Sequence, residues 1–204
     1  MEAMAKMEDN AYDLAIVDPP YGIGIDKAMN ANKGRHGFKV YKTTDWDNAV
    51  PSQKYFDELK RVSRNRIIWG ANYMMSKIKT DSQGWVVWNK VQRDFTMSDA
   101  ELAFTSFDKT TRCFDYSRGS AMGNNNKNGG KIHPTQKPVA LYKWLLKNYA
   151  KEGDKILDTH LGSGSIAIAC HDGGFSLDAW EIDAEYHKAA TERFNTHIKQ
   201  LRLL

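Results

Sequence analysis

Residues 155–170 read KILDTHLGSGSIAIAC, and this stretch decides the fold class. The short run Lys155–Asp158 predicts a strand that ends at Asp158, and a Gly-Ser-Gly turn leads from it into an alanine-rich helical pattern. Glycines at such a turn allow a tight backbone and close approach by a ligand. Residues 162–167 match the G-x-G-x-x-A form of dinucleotide-binding loops, and Glu181 ends the next predicted strand at a spacing suited to ribose hydroxyls. The stretch predicts an α/β fold that binds an adenosyl cofactor, whereas no Gly-Lys-Ser or Gly-Lys-Thr of a P-loop is present.

The same alternation of strands and helices extends along the chain. Short β-rich runs bounded by turn residues predict further strands at Asp13–Val17, Arg66–Trp69, Trp85–Trp88, Glu101–Phe107 and Leu177–Glu181. Apolar side chains at helical spacing predict helices over Gln53–Val62 and Pro138–Tyr149, with Thr135 as the N-cap of the second. Trp85–Trp88 and Glu101–Phe107 have no helix between them, so we expect an antiparallel pair at the edge of the sheet. The chain is expected to form one domain, residues 1–204, with a twisted, mostly parallel sheet and helices on both faces.

A second stretch, AIVDPPYG at residues 15–22, ends an apolar strand with an acid, two prolines and an aromatic side chain. The prolines stop the strand because they lack the N–H that a sheet ladder needs. Asp18 and Tyr21 therefore lie at the carboxyl end of a strand, which is where open α/β sheets bind ligands. A plain strand followed by a turn is the alternative interpretation.

Composition restricts the class of protein. The two cysteines, Cys113 and Cys170, have neither metal-ligand nor redox spacing, which favours a reducing compartment such as the cytoplasm and predicts no metal site. No apolar run reaches the length of a membrane span. The net charge is only +4, but basic residues are concentrated at residues 22–45 and 105–137. These stretches are consistent with a surface that binds a polyanion, although solvated loops are often rich in lysine.

A third stretch, IHPTQKPVALYKWLL at residues 132–146, is on physical grounds a capped helix. His133 could act as a base or a ligand, but a structural role is favoured because no second ligand lies at a suitable spacing.

Four blocks together carry a family resemblance: DPPYG at residues 18–22, HPTQKP at 133–138, DTHLGSGS at 158–165 and WEID at 180–183. In this order they resemble the β-class DNA amino-methyltransferases, particularly adenine-N6 enzymes of prophage and orphan type. The resemblance implies a Rossmann-like methyltransferase fold with permuted motif order. It implies a catalytic half at about 1–88, a short target-recognition region at about 89–131 and a cofactor half at about 132–204.

The resemblance also implies a chemistry, namely methyl transfer from S-adenosylmethionine to adenine N6 in duplex DNA. Asp18 and the carbonyl of Pro19 would accept the two amino protons, Pro20 would help to fix that carbonyl, and Tyr21 would stack on a base flipped out of the duplex. The residues implied for the cofactor are Asp158, His160, Gly162, Ser163, Gly164, Glu181, Thr135 and Lys137. The basic residues expected to contact DNA are Lys33, Arg35, Lys39, Lys42, Arg93, Arg118 and Lys127.

Other interpretations stay open at this point. Asp18 favours adenine, since cytosine-N4 relatives usually carry serine there, but a cytosine-N4 enzyme is the nearest alternative. A catalytically weak DNA-binding partner subunit would keep the basic surface, and a nicotinamide oxidoreductase would use the glycine loop while leaving DPPY without a purpose. The expected location is the cytoplasm of a bacterial or phage-infected cell, and a homodimer remains open.

Overall fold

The computed structural model describes residues 2–24, 47–93, 98–117, 119–120 and 131–200. The helices are α1 (Glu2–Ala5), α2 (Gln53–Val62), α3 (Met75–Ile78), α4 (Val139–Tyr149), α5 (Ser165–Gly173) and α6 (Ala184–Lys199). The strands are β1 (Tyr12–Val17), β2 (Ser63–Trp69), β3 (Trp85–Asn89), β4 (Ala100–Thr105), β5 (Arg112–Asp115), β6 (Lys155–Asp158) and β7 (Ser176–Ala179). None of the helices in these ranges is long and apolar enough to cross a membrane.

The strands form one seven-stranded sheet in the order β5-β3-β4-β2-β1-β6-β7. β4 runs antiparallel to both of its neighbours, β2 and β3, whereas the other pairings are parallel. The predicted mostly parallel sheet and the antiparallel pairing of β3 with β4 are therefore confirmed. The pair is not the edge of the sheet, because β5 adds a parallel strand outside β3.

Helices cover both faces of the sheet, as the sequence predicts. Alternating side chains of β1 supply the two cores, since successive residues of a strand point to opposite faces. Leu14 and Ile16 pack with α4 and α5, and Ala15 and Val17 pack with α1 and α2. β1 lies in the interior of the sheet, between β2 and β6, and most of its residues are buried.

Several predicted boundaries differ from the structure. β5 escaped prediction because its four residues are mostly exposed at the sheet edge and carry no apolar alternation. β4 ends at Thr105, and Phe107 packs against the core from beyond the strand. β7 ends at Ala179, so Glu181 lies in the loop that follows it. Thr135 does not cap a helix, because Pro138 is the N-cap residue of α4.

Candidate active site

The site lies along one edge of the sheet. The parallel strands β1, β2, β6 and β7 all end there, and the antiparallel strand β4 begins there. The Asp-Pro-Pro-Tyr corner follows β1, and the glycine loop follows β6. Because β1 and β6 are neighbours, these two sequence blocks meet in space although more than a hundred residues separate them.

The corner after β1 is fixed by its own side chains and by one distant acid. The Tyr21 hydroxyl donates a hydrogen bond to Asp18 Oδ1 at 2.8 Å. The backbone N–H groups of Tyr21 and Gly22 donate to Asp47 Oδ1 at 2.8 and 2.9 Å. Asp47 is buried. By accepting hydrogen bonds from these two N–H groups, which have no strand partner after the prolines, it holds the turn in place.

The turn after β2 makes room for Tyr21. Gly70 has φ +65°, and a Cβ at this position would lie 2.1 Å from the Tyr21 ring. Only glycine fits such an approach at a positive φ. Beyond it, the Tyr73 ring stacks on the Tyr21 ring with centroids 5.4 Å apart and planes 17° apart. Two aromatic rings therefore lie together at the site, and about half of the Tyr73 side chain is open to solvent.

Lys137 brings a positive charge to this corner. Its Nζ contacts Asp18 Oδ2 at 2.5 Å and Glu101 Oε2 at 3.1 Å, and only 2 % of its side chain is exposed. Burial disfavours the ammonium, but the carboxylates of Asp18 and Glu101 outweigh this and raise the pKa of Lys137. Burial also raises the pKa of Asp18, and the Lys137 charge opposes that rise. Lys137 thus favours the ionised form of a carboxyl group whose burial favours the neutral form.

The glycine loop after β6 is tied to Glu181. The Gly162 N–H donates to Glu181 Oε2 at 2.8 Å, and the Asp183 N–H donates to Oε1 at 3.0 Å. The Asp183 side chain in turn caps α6 by accepting from the N–H groups of Glu185 and Tyr186. The Glu181 carboxylate is therefore held at the mouth of the loop by backbone donors.

Hydrogen bonds from Ser165 and Arg193 connect the glycine loop with the Lys137 segment and with α6. The Ser165 hydroxyl donates to the Lys137 carbonyl at 2.8 Å, and Arg193 Nη1 donates to the Ser163 carbonyl at 2.7 Å. Gly164 has φ +70°, and a Cβ there would lie 3.2 Å from the Ala190 Cβ. Through its carbonyl and its ammonium, Lys137 thus connects the glycine loop with the corner after β1.

Asp158 and two histidines line the loop. Burial raises the pKa of Asp158 to about 8, although its Oδ1 accepts the His160 N–H at 2.9 Å. Burial lowers the pKa of His160 and of His133 to about 4, so both rings are neutral near pH 7. The Thr135 hydroxyl lies 3.1 Å from His133 Nδ1, and the His133 ring lies near Gly162. The described residues hold no cluster of three metal-ligating side chains.

The residues predicted from the sequence occupy two adjoining groups. Asp18, Pro19, Pro20 and Tyr21 form the corner, with Pro19 buried, and the eight residues predicted for the cofactor surround the glycine loop or, as Lys137 does, reach the corner. Arg93 is exposed after β3 at the same sheet edge, with its Nε 4.0 Å from Asp99. The remaining residues predicted to contact DNA lie outside the described residues: Lys33, Arg35, Lys39, Lys42, Arg118 and Lys127.

Comparison with known proteins identifies the family. The N6_N4_Mtase family model, described as DNA methylase, matches residues 79–192, which is more than half of the chain. The chain belongs to this DNA methylase family. The match confirms the resemblance seen in the sequence blocks. The chain is an S-adenosylmethionine-dependent DNA methyltransferase.

The methylase is similar to bacterial type II enzymes over almost its whole length. It is 29% identical to the type II methyltransferase M.HpaI of Haemophilus parainfluenzae over 242 aligned positions, which cover 96% of this chain and 72% of the relative. It is 24% identical to the type II methyltransferase M2.DpnII of Streptococcus pneumoniae, covering 93% of this chain and 85% of that one.

Solved structures confirm the Rossmann-like methyltransferase fold. The structure of M1.HpyAVI in complex with S-adenosylmethionine superposes with a TM-score of 0.61 at 18% identity, covering 95% of this chain and 92% of that one. The cytosine-N4-specific PvuII DNA methyltransferase gives a TM-score of 0.58 at 12% identity, covering 94% and 82%.

The sequence did not reveal four residues of the site: Asp47, Gly70, Tyr73 and Glu101. Gly70 had a readable signal, because a glycine directly after the apolar strand that ends at Trp69 indicates a turn at the carboxyl end of a strand, and Tyr73 follows in that turn. Glu101 had none, since its contact with Lys137 depends on the register of β4 against its neighbours.

Proposed function

We propose that the methylase transfers a methyl group to the exocyclic N6 amine of adenine in duplex DNA. The observation that carries this proposal is the Asp18–Tyr21 corner, whose partly buried Asp18 carboxyl group pairs with the Lys137 ammonium beside the glycine loop. An amine whose lone pair is shared with an aromatic ring is a poor nucleophile, and its nitrogen becomes more positive as it attacks. Acceptors on its protons therefore stabilise the transition state more than the ground state.

Asp18 suits the role of such an acceptor. Its oxygens already accept from the Tyr21 hydroxyl and the Lys137 ammonium, but an ionised carboxylate offers about four lone-pair directions, so further N–H groups can be bound. The Pro19 carbonyl would accept the second amino proton. The Tyr21 ring would stack on the flipped base, and the Tyr73 ring lies where it can extend that stacking surface.

The residues at the glycine loop suit S-adenosylmethionine, which when bound supplies an electrophilic methyl group on a sulfonium. The Glu181 carboxylate, fixed by two backbone donors, would accept from the ribose hydroxyls. Next to it, the Ile182 side chain is 99% exposed, an unusual position for isoleucine that an adenine ring would cover. The neutral rings of His133 and His160 add no positive charge that would repel a sulfonium.

Cytosine N4 is the second candidate acceptor, and the likeness to the cytosine-N4-specific PvuII enzyme keeps it in view. Its amine has the same electronic character, so the corner alone would serve both bases. The aspartate at the first position of the corner favours adenine through the family resemblance. The base preference is therefore part of the proposal.

Duplex DNA would approach the sheet edge where the corner opens. Arg93 lies at that edge, and the basic residues between positions 22 and 45 follow directly after the corner in the chain. Contacts from such side chains to phosphates provide affinity and orientation without sequence information. A homodimer would extend this surface.

The test is a methyl-transfer assay with labelled S-adenosylmethionine and duplex DNA, followed by nucleoside analysis of the product. We expect N6-methyladenine, and N4-methylcytosine as the sole product would overturn the base assignment. Asp18→Ala should lower the single-turnover rate about 10²-fold or more, which is the effect of losing one preorganised transition-state contact, and should leave cofactor affinity unchanged. Asp57→Ala on the exposed side of α2 is the matched control and should keep the wild-type rate.

A further inference from the structure

Glu101 extends the corner into a network of four charged side chains. Its Oε2 lies 3.1 Å from Lys137 Nζ and its Oε1 lies 2.8 Å from Lys90 Nζ. Lys137 also pairs with Asp18, so ammonium and carboxylate groups alternate in the order Lys90, Glu101, Lys137 and Asp18. With all four groups ionised, the charges cancel. Burial opposes ionisation of Glu101, but the two lysines outweigh it and hold its pKa at about 2.

We infer that Glu101 is a positioning residue for the methyl transfer, which holds the Lys137 ammonium on Asp18 and balances the charge of the corner. Glu101 contacts neither Asp18 nor the corner backbone in the described structure, so it acts through Lys137. This inference rests on the catalytic role proposed for Asp18.

The physical reason is the placement of Lys137 between two acids. A lysine side chain has four rotatable carbons, and an ammonium that is bound by one carboxylate alone has more freedom to leave it. Glu101 is carried at the start of β4, whose ladder to β2 and β3 fixes its position. The strand thereby supplies a rigid second anchor, and Lys90, packed over the Trp88 ring at 5.4 Å, supplies the counter-charge for it.

Removing the negative charge has a predictable sign. Loss of the Glu101 charge leaves the network with a net charge of +1, which disfavours protonation of every nearby group and lowers their pKa values. The groups that face the network are Asp18, Tyr21, Lys90, His133, Lys137, Tyr142 and Asp158. We assign the acid and the alkaline limbs of the rate profile to groups of this network. Because the amide introduced by Glu101→Gln can still accept a hydrogen bond from Lys137, the loss of charge decides the direction, and both limbs should move to lower pH.

The experiment measures single-turnover rate against pH for Glu101→Gln with saturating S-adenosylmethionine and duplex DNA. We expect both limbs to move to lower pH by about 1 pH unit or more, with cofactor affinity unchanged. The double variant Glu101→Gln with Lys90→Met restores a net charge of zero and should return the limbs towards their wild-type positions. Glu101→Asp keeps the charge and should keep the wild-type pH profile even if its rate falls. Glu192→Gln on the exposed part of α6 is the control.

A profile for Glu101→Gln that superposes on the wild-type profile overturns the inference, and so does a shift that Lys90→Met fails to reverse. Circular dichroism and cofactor affinity identify a variant that has not folded, in which case Glu101→Asp and the double variant decide. The proposed function fails separately: if Asp18→Ala transfers methyl groups at the wild-type rate, the corner is not the catalytic site. An inactive Asp18→Ala enzyme together with an unshifted Glu101→Gln profile refutes only the role of Glu101.

Discussion

Lys137→Met removes the buried ammonium that pairs with two partly buried carboxylates and keeps about the same side-chain volume. Deleting one partner of a buried ion pair costs about 3–5 kcal/mol, because the remaining charge loses its compensation. Glu101 retains Lys90 at 2.8 Å, so the cost falls mainly on Asp18, which keeps only the Tyr21 hydroxyl. We therefore expect the variant to lose about 3 kcal/mol of unfolding free energy at about pH 8, the lower end of that range.

The loss should depend on pH. Burial already raises the pKa of Asp18, and without the Lys137 charge it rises further. A carboxyl whose pKa is higher in the folded state than in the unfolded state loses stability as the pH rises above the unfolded value, since the unfolded chain ionises first. The deficit of Lys137→Met relative to wild type should thus be smaller at about pH 5 than at about pH 8.

Urea denaturation at both pH values, without cofactor, measures this difference. The control is Lys155→Met, because Lys155 also pairs with an aspartate, Asp178 at 3.0 Å, but more than two fifths of each side chain is exposed. An exposed pair contributes less than about 1 kcal/mol. If Lys137→Met loses no more than the control at about pH 8, or if its deficit does not change with pH, the description of Lys137 as the stabiliser of a buried ionised Asp18 is refuted.

Further predictions concern the cofactor loop and the substrates. Glu181→Ala should weaken S-adenosylmethionine binding by about 1.5–3 kcal/mol in calorimetry, while Glu185→Ala on α6 should not, and equal affinities would exclude Glu181 as the ribose ligand. Burial raises the pKa of Asp158 to about 8, so ionisation of Asp158 opposes folding. The unfolding free energy of Asp158→Asn should therefore increase relative to that of wild type by up to about 1.4 kcal/mol per pH unit between pH 5 and 8. Parallel curves of unfolding free energy against pH would contradict this. Tyr21→Ala should lower kcat/KM by an amount equivalent to about 1–3 kcal/mol of activation free energy, whereas Tyr21→Phe should keep most of the wild-type value. An equal loss in both variants would show that stacking is not the role of the ring. Neutralising the basic residues of segment 33–42 should flatten the salt dependence of DNA binding by about one phosphate per contact, and an unchanged slope would assign them to plain surface.

The sequence was sufficient for features that depend on neighbours along the chain. The apolar run at residues 85–88 and the Ile-Leu pair at residues 156–157 predicted β3 and β6, because a buried strand needs such side chains whatever its partners are. The Asp-Pro-Pro-Tyr corner and the Gly-Ser-Gly loop were readable for a similar reason. Proline ends a ladder and glycine permits a positive φ wherever they occur, and Gly162 and Gly164 have φ of +52° and +70°.

Local patterns failed where stability comes from the rest of the fold. β5 is too short and too exposed to show a period of two, and it forms because β3 offers an open ladder. The sequence predicted that Thr135 would be the N-cap of α4. In the structure the Thr135 hydroxyl lies 3.1 Å from His133 Nδ1, and Pro138 is the N-cap residue. Side-chain contacts replaced the local preference in this turn.

The charge network belongs wholly to the tertiary structure. Asp18 and Lys137 are 119 residues apart in the chain, and Glu101 comes from a strand whose direction the sequence suggested but whose register it did not specify. An isolated lysine in a helix-capping block and an isolated glutamate at a strand start are both typical of solvated surface. The sequence by itself determined that a rigid acidic corner and a glycine-rich loop would each follow a strand, because proline, glycine and apolar runs act on their own neighbours in the chain. Only the packed sheet decided that this acid would lie beside the loop, partly buried and paired with a buried ammonium, because desolvation and Coulomb attraction act between groups that are distant in the chain.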